Sequence, residues 1–240
     1  MKILLTNDDG YNATGIRLLE EVLKDYGNVY VVAPQFAKSG ASSSFSFHSL
    51  ELIKYDDQHY ALNGTPVDCV IFGLNGLNET FDLVVSGCNN GYNLSFDCIY
   101  SGTIGACFES LVMKVPAIAF STQYQNFEHA KEEIKKAFDF ILENRIYSSQ
   151  YMLNVNLASS AFLPSKGIKL TKQFIREVTY KCHYQEDGKV ALDREEISSR
   201  MQNVFYDIGA VNQGYISITP LQMTRFNDSL FENLEKKLTL

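Results

Sequence analysis

Two adjacent carboxylates, Asp8 and Asp9, follow a short apolar run near the beginning of the chain, with Thr6 and Asn7 between the run and the pair. The run Ile3–Leu5 predicts a buried strand, and Gly10 frees the backbone to turn immediately after the acidic pair. Two unneutralised carboxylates this close repel each other unless a cation or a shared proton lies between them. A cation site at the end of a strand is one interpretation of the pair. The alternative is that one Asp caps the following helix while the other is solvated.

The segment after the acidic pair carries helix signals. Thr14 is placed as an N-cap ahead of apolar residues that recur at helical spacing from Ile16 to Tyr26. The acidic pair is therefore predicted at a strand-to-helix corner, which in an open α/β sheet lies on the carboxyl edge where ligands bind. Neighbouring side chains on an extended strand point to opposite faces, so Asp8 and Asp9 can share a ligand only where the backbone turns.

Two further polar loops are predicted at the same edge. Residues 35–44 follow a second apolar strand and are rich in hydroxyl groups, and Lys38 beside Ser39 suits an anionic group. Residues 86–93 follow another apolar strand and contain Asn89, whose amide oxygen can reach whatever the acidic pair holds. A flexible linker is the alternative for the first loop, and plain turn chemistry is the alternative for the asparagines of the second.

A third polar segment, Tyr100-Ser101-Gly102-Thr103, opens a predicted helix that continues through Val112. The free N–H groups at a helix N-terminus, together with two hydroxyl groups and a glycine, form a suitable cradle for phosphate. Ordinary N-capping by Ser101 or Thr103 accounts for the same residues equally well.

Strands and helices alternate through residue 157, which predicts a largely parallel α/β sheet. One interruption is a predicted β-excursion that starts at Phe45 and Phe47, turns at residues 56–57 and returns at residues 60–62. A helix is predicted to begin after Thr65 as N-cap, and another to span Glu128–Glu143. We therefore divide the chain into an α/β core, residues 1–160, which is expected to carry the site, and a C-terminal extension, residues 161–240.

The extension has a different pattern. It predicts a strand at residues 168–170, a hairpin of residues 179–184 and 189–192 about Asp187-Gly188, and an alternating strand at residues 214–220 that returns to the sheet. A terminal helix is predicted from Asp228, with Leu230, Phe231, Leu234 and Leu238 on its apolar face. A hairpin without a local core usually packs on a partner, so the extension is expected to serve oligomerisation.

Composition narrows the class of protein. The formal net charge of the 240 residues is −7, which argues against binding to polymeric nucleic acid, because that requires a basic surface. No apolar run is long enough to span a bilayer, so no membrane partner is expected. The five cysteines are scattered without a CxxC pair, and we expect a reducing, cytoplasmic location.

Taken together, the polar loops resemble the survival protein SurE family of metal-dependent 5'/3'-nucleotidases. The resemblance covers most of the chain. It is carried by residues 3–10 (Ile-Leu-Leu-Thr-Asn-Asp-Asp-Gly), Ala33-Pro34 with Ser39-Gly40-Ala41-Ser42, Gly64-Thr65-Pro66 with Asp68-Cys69, Val85-Ser86-Gly87 with Asn89, Gly91 and Asn93, Tyr100-Ser101-Gly102-Thr103, Leu153-Asn154-Val155-Asn156, and Gly214-Tyr215 with Ser217 and Thr219-Pro220-Leu221.

The resemblance implies a site and a fold. The implied metal ligands are Asp8, Asp9, Ser39 and Asn89, and the implied phosphate contacts are Asn93, Ser101, Gly102 and Thr103. Because every implied ligand is an oxygen donor, one Mg²⁺ or Mn²⁺ per subunit is expected and Zn²⁺ is not. The cation would grip a phosphate oxygen and activate water, which Asp8 or Asp9 would orient. The fold implied is a three-layer, Rossmann-like, mostly parallel sheet with a C-terminal hairpin arm that subunits exchange, hence a homodimer or homotetramer.

Some residues depart from the family pattern. Gln35 stands where many members have Asp, Lys38 where Arg is common, and Ser95 where a glycine usually follows the Asn-Leu pair. Residues 181–196 lack the aspartate-proline-arginine-glycine and tyrosine-tryptophan pattern of the family. These departures concern substrate preference and the geometry of the arm.

Two other protein classes also place acids after a first strand. A haloacid-dehalogenase-like phosphatase uses an Asp-x-Asp pair on one face of the strand, whereas Asp8 and Asp9 are adjacent. A receiver-type signalling domain, which is not an enzyme, needs a phosphoacceptor Asp at the end of a later strand, and residues 84–87 (Val-Val-Ser-Gly) offer none. Nucleoside monophosphates are the expected substrates. The sequence leaves open the base and sugar preference, the activity on 3'-monophosphates and the hydrolysis of short polyphosphate.

Overall fold

A computed structural model of the chain describes residues 1–185, 187–196, 201–223 and 228–238. The helices are α1 Thr14–Leu23, α2 Pro66–Gly76, α3 Gly102–Val112, α4 Ala130–Glu143, α5 Asp207–Asn212 and α6 Asp228–Leu238, with short 3₁₀ helices at Ser95–Ile99 and Ser160–Phe162. The strands are β1 Lys2–Thr6, β2 Asn28–Pro34, β3 Leu52–Lys54, β4 His59–Leu62, β5 Leu83–Asn90, β6 Ala117–Thr122, β7 Met152–Asn156, β8 Ile168–Leu170, β9 Val178–Tyr184, β10 Val190–Glu196 and β11 Ile216–Leu221.

Nine of these strands form one sheet in the order β3-β4-β2-β1-β5-β6-β7-β11-β8. The run from β4 to β7 is parallel, whereas β3 pairs antiparallel with β4 and β11 pairs antiparallel with β7. The chain leaves β1 toward β2 on one side and later returns to β5 on the other. The crevice between β1 and β5 is therefore the topological switch point, where ligands bind in open α/β sheets.

Helices cover both faces of the sheet, as the predicted three-layer α/β fold requires. On one face α1 and α4 pack on alternate side chains of the central strands, and Ile16, Leu19 and Phe138 belong to that core. On the other face α2 and α3 pack on the side chains of the same strands that point the opposite way, such as Leu4 and Val84. Strands buried on both faces read as continuous apolar runs, and this explains why residues 3–5 and 83–85 are uniformly apolar.

Two helices begin where capping residues predict. Thr65 caps α2 in a reciprocal capping box: its side chain accepts from the Asp68 N–H at 3.2 Å, and the Asp68 carboxylate accepts from the Thr65 N–H at 2.8 Å. Ser101 caps α3 by accepting from the Ile104 N–H at 3.2 Å. Both N-termini point toward the carboxyl edge of the sheet, beside the end of β1.

Four local predictions were wrong. Residues 86–90, predicted as the start of a polar loop, continue strand β5, and Asn89 and Asn90 pair with β6 after a local irregularity. The residue that caps α1 is Ala13, without a side-chain cap, and Thr14 is the first helical residue. The segment from Phe45 to Phe47 is irregular, because Ser46 donates both its backbone N–H and its hydroxyl to the Asp68 carboxylate, at 2.8 Å each, instead of pairing with a strand. Helix α4 begins two residues later than predicted, since His129 takes a left-handed conformation with φ 57°.

The C-terminal extension contributes to the main sheet and also leaves it. Strand β11 returns to the sheet as predicted, beside β7, and β8 pairs with β11 at the edge. Strands β9 and β10 form a separate two-stranded hairpin, here called the arm (residues 178–196). The predictions that Asp228 caps α6 and that Leu234 and Leu238 lie on its apolar face concern side chains outside the described residues. Throughout the described ranges, every helix is too short or too polar to cross a bilayer.

Candidate active site

The acidic pair lies just beyond the end of β1, at the switch point. Gly10 has φ 102°, a left-handed conformation that other residues adopt only with strain, and it supplies the predicted turn. The turn is fixed by the Tyr11 N–H, which donates to the Pro34 carbonyl at 2.7 Å, and by the Asn7 side chain, which donates to the Gly10 carbonyl at 2.9 Å. As a result Asp8 is buried and Asp9 is half-buried.

Asp8 is held by the N-terminus of α3. The Thr103 hydroxyl donates to Asp8 Oδ1 at 2.7 Å, across 95 residues of sequence. Burial raises the pKa of Asp8 to about 6, while the hydrogen bond from Thr103 lowers it and the neighbouring Asp9 raises it further. Gly102 lies against the same side chain, since a Cβ on Gly102 would stand 2.9 Å from Asp8 Cβ and 3.2 Å from Asp8 Oδ2. A larger residue at position 102 would fill the space beside the carboxylate.

Asp9 is held from the other side of the crevice by β5. The Asn90 N–H donates to Asp9 Oδ2 at 2.8 Å. Burial raises the pKa of Asp9, and the bond from Asn90 partly offsets that rise. The preceding residue, Asn89, donates its amide nitrogen to the Gly91 carbonyl at 2.8 Å. This bond commits the nitrogen to the loop and leaves the amide oxygen of Asn89 as the group it can offer to a ligand.

The hydroxyl-rich loop after β2 is attached to the acidic pair. The Lys38 N–H donates to the Asp8 backbone carbonyl at 2.7 Å, so the exposed Ser39 follows directly on a residue bound to Asp8. Farther along, Ser42 donates its N–H to the Tyr100 carbonyl at 3.0 Å and its hydroxyl to the Ile99 carbonyl at 2.7 Å. The loop is thus fixed at both ends to the site rather than being a free linker.

The four predicted phosphate contacts occupy different environments. Three of them lie at the start of α3, beside Asp8: Ser101, Gly102 and Thr103. Ser101 also acts as the N-cap of this helix, which was the alternative interpretation of this residue. Asn93 is buried at the ends of β6 and β7. Its side chain donates to Ser121 Oγ at 2.9 Å, and its backbone N–H donates to Asn156 Oδ1 at 2.9 Å. No described contact joins Asn93 directly to Asp8 or Asp9.

Sequence reasoning missed several residues that hold the site together. Asn154 and Asn156 both donate their side-chain amides to the Asn93 carbonyl, at 2.7 and 3.1 Å. The Asn-x-Asn spacing on a strand was the available signal, because it places both amides on one face at the carboxyl end of β7. Asn90 was also missed, since the group it uses is a backbone N–H, which every residue type except proline carries.

The structure also shows whether the residues suit a cation. Two side-chain oxygens, Asn7 Oδ1 just after β1 and Ser86 Oγ within β5, are buried without a hydrogen-bond partner. Unpaired buried oxygen atoms are costly unless a ligand or ion completes their coordination. Among the described residues no three His, Cys, Asp or Glu side chains are grouped as a metal site. The two carboxylates would therefore need hydroxyl and amide oxygens as further ligands, which is a donor set that suits Mg²⁺ or Mn²⁺.

The sequence was compared with models of protein families, and residues 3–180 match the model described as survival protein SurE. The match includes β1, the Ser39 loop, β5 and the start of α3, and ends within the arm. The chain belongs to the SurE family.

Relatives of this SurE chain extend over almost the whole sequence. A 5'-nucleotidase SurE from Acinetobacter baylyi is 39% identical to this chain, and the match covers 98% of each of the two sequences. A 5'-nucleotidase SurE from Actinobacillus succinogenes is 38% identical, with 92% of each chain covered. A crystal structure of the SurE protein from Aquifex aeolicus superposes with a TM-score of 0.85 at 33% identity, covering 98% of this chain and 99% of that one. The SurE fold therefore extends through the C-terminal segments.

Proposed function

We propose that this SurE chain is a metal-dependent 5'-nucleotidase that hydrolyses nucleoside 5'-monophosphates to nucleoside and inorganic phosphate. Membership of the family supports a nucleotidase, that is, a phosphoric monoester hydrolase. The observation that carries the proposal is the hydrogen bond from Thr103 to Asp8. This bond joins the acidic pair, which would bind a cation, to the N-terminus of α3, which would bind an anion. Thr103 therefore belongs to both sites.

Asp8, Asp9, Ser39 and Asn89 would hold one Mg²⁺ or Mn²⁺ per subunit. Once bound, the cation supplies charge that offsets the phosphate and promotes ionisation of water. The unpaired oxygens of Asn7 and Ser86 support a site that is completed by an ion and its waters.

The first turn of α3 would receive the phosphate. Free N–H groups at a helix N-terminus and the positive end of the helix dipole favour a dianion, and Gly102 leaves the backbone open to close approach. Ser101 and Thr103 already fix this turn through their bonds to the Ile104 N–H and to Asp8. In this arrangement Asn93 contributes by fixing the loop after β5 between the two sites.

The two carboxylates would divide the remaining tasks. Asp8 is buried and bound to Thr103, so it holds the ion and the helix in a fixed relation. Asp9 is more exposed, and the Asn90 N–H occupies only one of its oxygens. We assign to Asp9 the orientation of the attacking water opposite the departing nucleoside oxygen.

The extension, residues 161–240, would serve assembly into a homodimer or homotetramer in the cytoplasm. The described part of the arm exposes Tyr180, Tyr184 and Leu192. Apolar side chains on an isolated hairpin are typical of a surface that becomes covered in an assembly. Sedimentation analysis of the full chain tests this part of the proposal independently of catalysis.

Phosphate release from a panel of nucleoside 5'- and 3'-monophosphates and short polyphosphate, measured with Mg²⁺, Mn²⁺ or a chelator, tests the activity. We expect multiple turnovers on 5'-monophosphates only with added cation, and the panel reads out 3'-nucleotide and polyphosphate hydrolysis at the same time. Asp57→Asn, a change on an exposed turn far in sequence from the site, is the control for Asp9→Asn. A single stoichiometric uptake of phosphate without turnover, as in a receiver domain, would contradict the proposal. So would full metal-dependent turnover by Asp9→Asn.

A further inference from the structure

Residues of the C-terminal extension surround Ser95, the first residue of the 3₁₀ helix that precedes α3. The Ser95 N–H donates to Asp207 Oδ2 at 2.8 Å, and its carbonyl accepts from the Gln173 side chain. Its hydroxyl accepts from the Arg176 N–H at 3.1 Å. All three polar groups of one residue are thus bound by a part of the chain that is remote in sequence.

Ser95 departs from the family pattern, in which a glycine usually stands at this position. Ser95 has φ 58°, in the left-handed region where glycine carries little strain. The hydroxyl that glycine lacks is the group that binds Arg176. Serine at position 95 therefore carries more backbone strain than glycine would, but it also makes a hydrogen bond to the extension that glycine could not make.

Asp97, in the same 3₁₀ helix, is attached to the arm. Arg176, two residues before the arm, pairs with Asp97 Oδ2, and Arg194 on β10 pairs with Asp97 Oδ1 at 2.7 Å. Both guanidinium groups also lie over the Phe96 ring, 5.1 and 5.5 Å from its centroid. Arginine suits such a position, because it can pair with a carboxylate and stack on an aromatic face.

This 3₁₀ helix, Ser95–Ile99, lies between Asn93 and Ser101 in the chain. The residues that flank it belong to two parts of the proposed site: Asn93 fixes the loop after β5, and Ser101 begins the turn of α3 that would receive the phosphate. A shift of the 3₁₀ helix would therefore move that loop and the start of α3 together. We propose that Asp97, paired with Arg176 and Arg194, is a positioning residue that couples the docking of the arm to phosphate binding. The inference rests on the proposed function for the location of the phosphate site.

Coupling between two sites is reciprocal: if the docked arm strengthens phosphate binding, bound phosphate must stabilise the docked arm by the same factor. For Arg194→Ala we expect KM for nucleoside monophosphate and the inhibition constant of inorganic phosphate to rise by about fivefold or more, the lower end of typical coupling. Mn²⁺ affinity should stay close to that of the wild type, because none of the proposed metal ligands lies between residues 95 and 101.

Lys181→Ala is the matched control, since it removes another cation from the same hairpin. Lys181 pairs with Glu195 at 2.7 Å, within the arm, and not with the 3₁₀ helix. Its KM and phosphate inhibition should match the wild type. Arg194→Lys keeps the charge without the planar group and should recover part of the loss. Asp97→Asn, which removes the other partner, should reproduce the effect of Arg194→Ala.

The decisive measurement is amide hydrogen exchange of residues 178–196 in the full chain, with Mn²⁺ alone and with Mn²⁺ plus inorganic phosphate. We expect phosphate to slow exchange in the arm of the wild type and of Lys181→Ala, but not of Arg194→Ala. If wild-type enzyme turns over and Arg194→Ala keeps wild-type KM and phosphate inhibition, the coupling is refuted while the proposed function stands. The coupling is also refuted if phosphate protects the arm equally in wild type and Arg194→Ala. A wild-type chain without metal-dependent phosphatase activity would refute the proposed function instead.

Discussion

Replacement of Asp8 by Asn should stabilise the metal-free protein at the same time as it abolishes activity. Burial raises the pKa of Asp8 from its ordinary value of 3.8 to about 6. The native state therefore binds the proton more tightly than the unfolded chain does. The contribution that this tighter proton binding makes to the free energy of unfolding is fully present below about pH 4. It is lost as the pH rises through about 6, where Asp8 ionises in the native state. At pH 8 the ionised group costs about 3 kcal/mol, because each pKa unit corresponds to about 1.4 kcal/mol.

Asparagine has nearly the same shape and keeps an oxygen that can accept from the Thr103 hydroxyl, so the substitution removes charge without creating a cavity. Allowing for imperfect bonding of the new amide, we expect Asp8→Asn to be more stable by about 1–3 kcal/mol at pH 8. For a chain of this size each kcal/mol raises Tm by about 2–4 °C. The gap should close by about pH 4, where Asp8 itself is neutral.

Thermal and denaturant unfolding at pH 4, 6 and 8 in a chelator measure this difference. Asp57→Asn, on an exposed turn, controls for the loss of one negative charge and should show no comparable gain. Added Mn²⁺ should raise the stability of the wild type far more than that of Asp8→Asn. The reasoning is refuted if the metal-free wild type is the more stable protein at pH 8, or if the difference between the two is the same at pH 4 and pH 8.

Three further predictions concern neighbouring residues. Asp9→Asn should lower metal-dependent kcat by about 10²-fold or more, a loss typical of one catalytic electrostatic group, with an unchanged circular dichroism spectrum as the check on folding. Gly102→Ala should destabilise the fold by about 1–3 kcal/mol, because the new methyl group would lie 2.9 Å from Asp8 Cβ, and calorimetry measures this. Asn156→Ala should cost about 1–3 kcal/mol by leaving the buried Asn93 N–H unpaired, and should raise KM more than it lowers kcat; unchanged unfolding would contradict this.

The sheet and the edge that carries the site were predictable because they depend on local patterns. The apolar runs of residues 3–5 and 83–85 identify strands β1 and β5, and Gly10 identifies the turn after the acidic pair. Parallel alternation then brings the strand ends to one side. The family resemblance was confirmed by the match over residues 3–180. The metal and phosphate ligand assignments remain predictions.

Local patterns failed where a distant group captured the backbone. The alternation of Phe45 and Phe47 mimics a strand, yet the two rings contact each other with centroids 4.5 Å apart, while Ser46 between them is bound by Asp68. The hydrogen bond between Thr103 and Asp8 could not be predicted from the sequence either, because it joins two elements that come together only in the folded sheet. Hydroxyl groups at a helix start indicate capping, and only the fold shows which of them reach a carboxylate.

Several groups at the proposed site weaken the fold of the ligand-free protein. Asp8 is buried with a raised pKa, and Asn7 Oδ1 and Ser86 Oγ are buried without partners. Each imposes a cost that a well-packed apolar residue would avoid. By contrast, the side chains of Asn154 and Asn156 are hydrogen-bonded to each other and to the Asn93 carbonyl. The unfavourable burial of charged and unpaired polar groups is therefore concentrated where a bound cation and phosphate would offset it. Binding of these ligands should consequently increase the free energy of unfolding.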